Sequence, residues 1–179
     1  MNEGKISGRY AHALYALAEE KGIQQEIYKQ MITLSQAFLQ IPELSKTLAN
    51  PMHTTEEKLS LLITASGKNS SELLTDFFRF VIKKEREEFM IFIAMSYQDF
   101  YRKKQHIVLG KIISALPLKE ESLTKIKKLV KDKFDSTIEL TTEVEPSIIG
   151  GFVLEVDNYR MDSSIRTELE NIQKELTRD

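Results

Sequence analysis

Glu145-Pro146-Ser147-Ile148-Ile149-Gly150-Gly151-Phe152-Val153-Leu154-Glu155-Val156, followed by Tyr159-Arg160-Met161-Asp162-Ser163-Ser164-Ile165-Arg166, is the stretch that decides the fold. Pro146 fixes φ and donates no backbone hydrogen bond, while Gly150-Gly151 admits positive φ or close backbone approach. A turn feeding at once into an apolar strand, Gly151 to Val156, is therefore predicted. Asp157-Asn158 supplies the next turn, and a second short extended piece leads to Asp162. The Asp162 carboxylate is placed to accept the first free amides of a helix with apolar positions Ile165, Leu169, Ile172 and Leu176, at spacings of four, three and four.

Upstream, Ile107 to Leu116 is a β-branched, apolar run ended by Pro117, and Ile138, Leu140, Thr142 and Val144 alternate with Glu139, Thr141 and Glu143 as in a half-solvated strand. Leu123, Ile126, Val130 and Phe134 mark a helix between them. The expected order is strand, helix, strand, strand, helix, a small α/β domain over residues 106–179.

Residues 1–105 read differently, with helical periods, cap signals and no strand pattern. The first helix runs from Ser7 to Lys21 and stops at Gly22, and the second, Ile23 to Gln40, carries Ile27, Met31, Leu34 and Phe38. Pro42 opens a short third helix ending at Asn50-Pro51, and Thr54-x-x-Glu57 has the form of a capping box before a fourth that closes at Ser66-Gly67. A fifth helix begins near Ser70, and a sixth is expected to bury Phe89, Phe92, Ile93, Ser96 and Phe100. The fold class is thus α plus α/β: an N-terminal antiparallel six-helix bundle and a small C-terminal α/β domain.

Composition fits. The chain has 179 residues, 41% hydrophobic, which is too apolar for disorder and enough for one core or two small ones. The absence of cysteine excludes disulfides and thiol chemistry. No apolar run approaches bilayer length, and Met1-Asn2-Glu3-Gly4-Lys5 lacks a signal core, so the expectation is a protein that remains where it is made. A net charge of −2 gives no reason to expect nucleic acid as partner.

Catalytic constellations are missing from the sequence. His12, His53 and His106 are scattered without metal spacing, and Gly150-Gly151 has neither the Lys-Ser/Thr of a phosphate loop nor a dinucleotide fingerprint. No metal, cofactor or catalytic residue is expected. Carboxylate pairs such as Glu19-Glu20 and Glu87-Glu88 read as solvated helix surface. The run Lys125, Lys127, Lys128, Lys131 and Lys133 is diluted by Glu120, Glu121, Asp132 and Asp135 and also reads as a solvated face, with an anionic contact as the sharper alternative.

The first and fifth helices carry more apolar surface than a bundle needs. On a helical wheel Tyr10, Ala11, Ala13, Leu14, Tyr15, Leu17 and Ala18 span about 200°, and Leu73, Leu74, Phe77, Phe78, Phe80, Val81 and Ile82 spread similarly. Either both helices are central and wholly buried, or together they expose a groove for an amphipathic partner helix.

The acid-Pro-x-x-Ile-Gly-Gly-apolar-x-apolar stretch with Asp162, Ser164 and Arg166, together with Gly8-Arg9-Tyr10-Ala11-x-Ala13-Leu14-Tyr15-x-Leu17-Ala18, resembles the delta subunit of bacterial F-type ATP synthase, the counterpart of the mitochondrial oligomycin-sensitivity protein. Departures are mild: Glu145 and Ser163 replace the more usual Asp and Gly, and Lys84-Glu85 replaces an Asn-Gly before Arg86. The resemblance implies a non-catalytic stator component on the cytoplasmic face of the bacterial cell membrane, attached only through its complex. It also implies a groove between helices one and five for N-terminal segments of the alpha subunit. Tyr10, Ala13, Leu14 and Leu17 are its candidate contacts on one side and Leu74, Phe77, Phe78 and Val81 on the other. Gly150, Gly151, Asp162, Ser164 and Arg166 form a structural signature, and the C-terminal domain is expected to meet the C-terminal helices of the peripheral-stalk b subunits. The alternative function is an independent helical adaptor or regulator that binds another amphipathic helix.

Overall fold

The computed structural model describes residues 3–67, 70–134, 137–156 and 159–176. The chain divides into two compact units, residues 1–102 and 103–179.

The first unit is built from α1 (Glu3–Glu20), α2 (Gln24–Gln40), α3 (Glu43–Ala49), α4 (Thr55–Ser66), α5 (Glu72–Lys83) and, after a 3-10 turn at Glu87–Phe89, α6 (Met90–Lys104). Local signals set the boundaries. Gly22, at φ 69°, lets its own amide reach the Glu19 carbonyl at 3.1 Å and the Ile23 amide reach Ala18 at 2.9 Å, closing α1 in a Schellman motif. Thr54 and Glu57 form the predicted capping box: the Thr54 amide donates to Glu57 Oε2 at 2.8 Å and the Glu57 amide to Thr54 Oγ1 at 3.3 Å. Those bonds from Thr54 hold the Glu57 carboxyl below its ordinary pKa. Ser71 caps α5 by accepting from the Leu74 amide at 3.3 Å.

Leu14, Ile27, Met31, Leu34, Leu48, Leu62, Leu74, Phe78, Met90, Ile93 and Tyr97 are fully buried in this unit. The sixth helix departs from expectation. It buries Met90, Ile93, Ala94, Tyr97, Gln98 and Tyr101, a face turned by about 100° from the Phe89, Phe92, Ile93, Ser96 and Phe100 side, and leaves Phe92 exposed. Partners on α2 explain the rotation, because they satisfy the polar groups that burial would otherwise orphan. Gln98 Nε2 donates to the Met31 carbonyl at 3.0 Å and to Ser35 Oγ at 2.9 Å, and Tyr97 donates to the Gln24 carbonyl at 3.1 Å. Burial pushes the Tyr97 phenol well above its ordinary pKa.

The second unit contains β1 (Ile107–Ser114), α7 (Glu120–Phe134), β2 (Thr137–Val144), β3 (Gly151–Val156), β4 (Tyr159–Ser164) and α8 (Ile165–Leu176). Its sheet order is β2-β1-β3-β4. The α7 crossover makes β1 and β2 parallel, with Gly110 beside Leu140, while β3 runs antiparallel to both β1 and β4. Ile112, Ile126, Ile138, Leu154 and Val156 form the core, joined by Leu123, Leu140, Phe152 and Met161. The expected stripe continues to Val130 and Phe134, whose side chains lie outside the described residues, as does the Asp157-Asn158 turn.

One strand more is present than the expected strand, helix, strand, strand, helix. The extended piece after the turn is β4, paired with β3 from Val156↔Tyr159 to Gly151↔Ser164. Its sequence, Tyr-Arg-Met-Asp-Ser-Ser, has little apolar alternation, so backbone pairing rather than side-chain burial defines it.

The Gly150-Gly151 corner works by close approach. At Gly151, φ is 75° and a Cβ would stand 2.1 Å from the Ser163 carbonyl oxygen; at Gly150 it would stand 2.6 Å from Ile165 Cδ1. The Gly150 carbonyl accepts from the Ile165 amide at 3.0 Å and ties the corner to the start of α8. Gly151→Ala combines a left-handed φ with a backbone clash, and we expect it to destabilise this unit by more than about 2 kcal/mol. Thermal unfolding checks this, and a melt matching wild type would contradict it.

Asp162 lies in β4 and is not the helix cap. Ser164 takes that role, its Oγ accepting from the Thr167 amide at 3.3 Å, while Asp162 braces it: Oδ1 accepts from the Ser164 amide at 3.0 Å and Oδ2 from Thr167 Oγ1 at 3.0 Å. The offset arises because the chain stays extended through Ser163 to keep its pairing with Phe152. Hydrogen bonds from Ser164 hold the Asp162 carboxyl below the usual aspartate range, with a smaller contribution from Arg160. A depressed folded pKa stabilises the unit above the unfolded aspartate value and loses that contribution as pH falls through the folded value. Following the carboxyl carbon by NMR, we expect Asp162 to titrate below an exposed aspartate and to move up towards it in Ser164→Ala; an unmoved midpoint would refute the assignment.

Candidate helix-docking surface

The α1 and α5 positions separate into two groups. Leu14, Leu74, Phe78 and Val81 have no exposed surface, and Phe77 is 8% exposed. Five of the eight candidate contacts are therefore bundle core. Neighbouring helices of the bundle cover them. Ala13 is exposed, Leu17 is 46% exposed and Tyr10 is half-buried.

Tyr10 joins the two helices. Its ring lies 6.4 Å from Phe77, edge to face, and 6.0 Å from Phe80. Phe80, 48% exposed, belongs to this surface and was absent from the candidate set. The signal was available: on the wheel Phe80 falls at the rim of the α5 arc, where a large apolar side chain has least chance of burial. Gly4, Lys5, Gly8, Arg9, Tyr10, His12, Ala13 and Phe80 line an open cleft of about 750 Å³. Its floor is apolar, and Gly4 and Gly8 add no side chain, since a Cβ on either would touch nothing within 4 Å. An open apolar surface of this kind suits a helix face better than a buried small molecule.

A second cleft, about 510 Å³, lies between Pro51, His53 and Thr55 and the turn at Glu85, Glu87 and Glu88. Its buried ion pair, Lys58 Nζ to Glu87 Oε1 at 2.5 Å, links α4 to the 3-10 turn. Among the described residues no group of His, Cys, Asp or Glu is arranged to hold a metal ion, and no helix is long and apolar enough to cross a membrane. His12 packs edge-on against Phe100 at 4.9 Å, and His53 lies 3.5 Å from Glu57.

The second unit carries its own uncovered apolar stripe. Ile165 (44% exposed), Leu169 (52%), Ile172 (48%) and Leu176 (76%) all face solvent, and none of the α8 residues is buried. The sequence located this stripe and its period, but nothing in it distinguished a face turned to the sheet from one turned away. Of the signature residues, Gly150, Gly151, Asp162 and Ser164 build the corner and the cap, whereas Arg166 forms an exposed pair with Glu170 at 3.0 Å. On α7, Lys125, Lys127, Lys128 and Lys131 are exposed, and the side chain of Lys133 lies outside the described residues.

Residues 6–176 match the family described as ATP synthase delta (OSCP) subunit. The chain is 39% identical over 173 residues to ATP synthase subunit delta of Phocaeicola vulgatus, covering 96% of this chain and 94% of that one. It is 37% identical over 177 residues to the Bacteroides thetaiotaomicron subunit delta, covering 98% and 95%. Its fold is also similar to a chain in the cryo-EM structure of the Toxoplasma gondii mitochondrial ATP synthase hexamer, with TM-score 0.62, 20% identity and coverage of 95% and 96%. An α plus α/β chain with this corner, this helix-one motif and near-complete overlap with those relatives belongs to the ATP synthase delta (OSCP) subunit family, as a structural and not a catalytic subunit.

Proposed function

We propose that this chain is the stator adaptor of an F-type ATP synthase, holding the catalytic head to the peripheral stalk against rotational torque. In this reading the helical part, residues 1–105, takes N-terminal segments of the alpha subunit on the surface formed by Tyr10, Ala13, Leu17 and Phe80. Phe77 and the buried Leu14, Leu74, Phe78 and Val81 keep that surface rigid. Residues 106–179 take the C-terminal helices of the b subunits, with the α8 stripe as the docking face. The chain binds no nucleotide or nucleic acid, and it reaches the cytoplasmic face of the membrane only through the complex.

The observation that carries this reading is that a chain of this family exposes an apolar helix face in each of its two units. Burying four large side chains contributes on the order of 6–12 kcal/mol gross, at roughly 1.5–3 kcal/mol each. Lost rigid-body freedom and side-chain ordering offset much of it, so micromolar or tighter capture at each face is reasonable. The direct test is bridging. The purified chain, the alpha-containing catalytic head and a soluble C-terminal fragment of the b subunit are mixed and run by analytical ultracentrifugation. A ternary complex that forms only when the chain is present supports the reading; a chain that binds some other helix but neither of these components returns it to the independent-adaptor class.

A further inference from the structure

We infer that the α1/α5 surface selects an acidic amphipathic helix, one whose apolar stripe is bordered by Asp or Glu on both sides. This rests on the docking reading above and adds the partner's charge. Lys5, Arg9, Ala13 and Leu17 follow one another at intervals of four along α1, so one edge of the cleft passes from two cations to apolar contacts. On α5, Phe80 is followed four residues later by Lys84, whose ammonium lies 5.9 Å from the centre of the Phe80 ring. Lys5, Arg9 and Lys84 are all exposed, and no described residue forms an ion pair with any of them. Of the two α5 carboxylates, Asp76 is already engaged by Arg79 at 2.9 Å, and Glu72 stands in the first turn of the helix, two turns before Phe80. The apolar floor is thus bordered by Lys5 and Arg9 in the cleft lining and by Lys84 over the Phe80 ring, cations that no described residue pairs.

The chemistry of the surface excludes the simpler occupants. A free phosphate or carboxylate ion would gain from the cations but leave Tyr10, Ala13 and Phe80 in water. An uncharged apolar helix would cover the floor and leave the cations unmatched, and a basic one would be repelled. Only a helix carrying carboxylates beside its apolar stripe satisfies both, and Gly4 and Gly8 let its backbone come close to α1.

The test uses the full chain and a synthetic peptide of the N-terminal segment of the alpha subunit encoded in the same genome, titrated by calorimetry at low and raised ionic strength. Two variants accompany it: a peptide with its Asp and Glu changed to Gln, and the protein carrying Lys5→Glu, Arg9→Glu and Lys84→Glu, checked by thermal melt. Exposed pairs of this kind each change affinity roughly two- to fivefold. We expect wild-type binding to weaken with salt, the Gln peptide to lose about tenfold and most of its salt dependence, and the triple variant to lose about ten- to a hundredfold while remaining folded. A peptide with Lys at those positions should recover binding to the triple variant. Tight binding that ignores salt, the Gln peptide and the triple variant alike overturns the charge inference and leaves the docking reading standing. Absence of any binding by the wild type overturns both.

Discussion

Replacing Ala13 by Asp is expected to remove capture of the alpha-subunit segment while leaving the bundle folded. Ala13 is exposed beside Tyr10 and Phe80, in a row where a small side chain permits close helix approach, so the new carboxylate costs the free protein little. Arg9, one turn earlier, can offset its charge in solution. On docking, both must lose water against an apolar stripe, and Coulomb attraction recovers only part of that loss. A penalty of about 2–4 kcal/mol follows, or roughly 30- to 700-fold in affinity. Calorimetry with the alpha-subunit peptide measures it, and a melting temperature matching wild type shows that the loss is local. Unchanged affinity in the folded variant would take Ala13 off the contact surface.

Phe78→Ala and Phe80→Ala are expected to behave in opposite ways although only two residues separate them. Phe78 is fully buried, and truncating it leaves a cavity in the bundle at a cost of about 3–5 kcal/mol, enough to lower the melting temperature by more than about 10 °C in a unit of this size. Phe80 is half exposed, so its truncation changes stability by no more than about 1 kcal/mol, while capture weakens by about 1–3 kcal/mol as an aromatic anchor is lost. Thermal melts and peptide titrations of both variants separate the roles. If Phe78→Ala melted like wild type and lost only binding, Phe78 would be a groove residue and the division into core and surface would fail.

That pair also shows how far the sequence could be read. Periodicity found the apolar arcs of α1 and α5 but left open whether they are wholly buried or form a groove. The resemblance made Tyr10, Ala13, Leu14, Leu17, Leu74, Phe77, Phe78 and Val81 contact candidates alike, and of these Leu14, Leu74, Phe77, Phe78 and Val81 are buried in the bundle. Which part of a wide arc faces solvent depends on the neighbouring helices, and no local signal carries that. Boundaries fared better because they are local: Gly22 and the Thr54-Glu57 box each act within a few residues. The face of α6 was not legible, since Tyr97 and Gln98 became core residues only through α2 partners more than sixty positions away. In the second unit the α8 stripe was visible and its exposure was not, and β4 was read only as a short extended piece because backbone pairing rather than apolar patterning makes it a strand.

The central claim, that a non-catalytic chain couples head and stalk through two separate apolar faces, is tested most directly by proton-driven ATP synthesis in inverted membranes stripped of this subunit and rebuilt with purified protein. Wild type should restore synthesis. Ala13→Asp, and a variant with Leu169→Asp and Ile172→Asp on α8, should each fail although both remain folded, while ATP hydrolysis by the detached catalytic head is the same with or without the chain. Full synthesis with both variants would contradict the account.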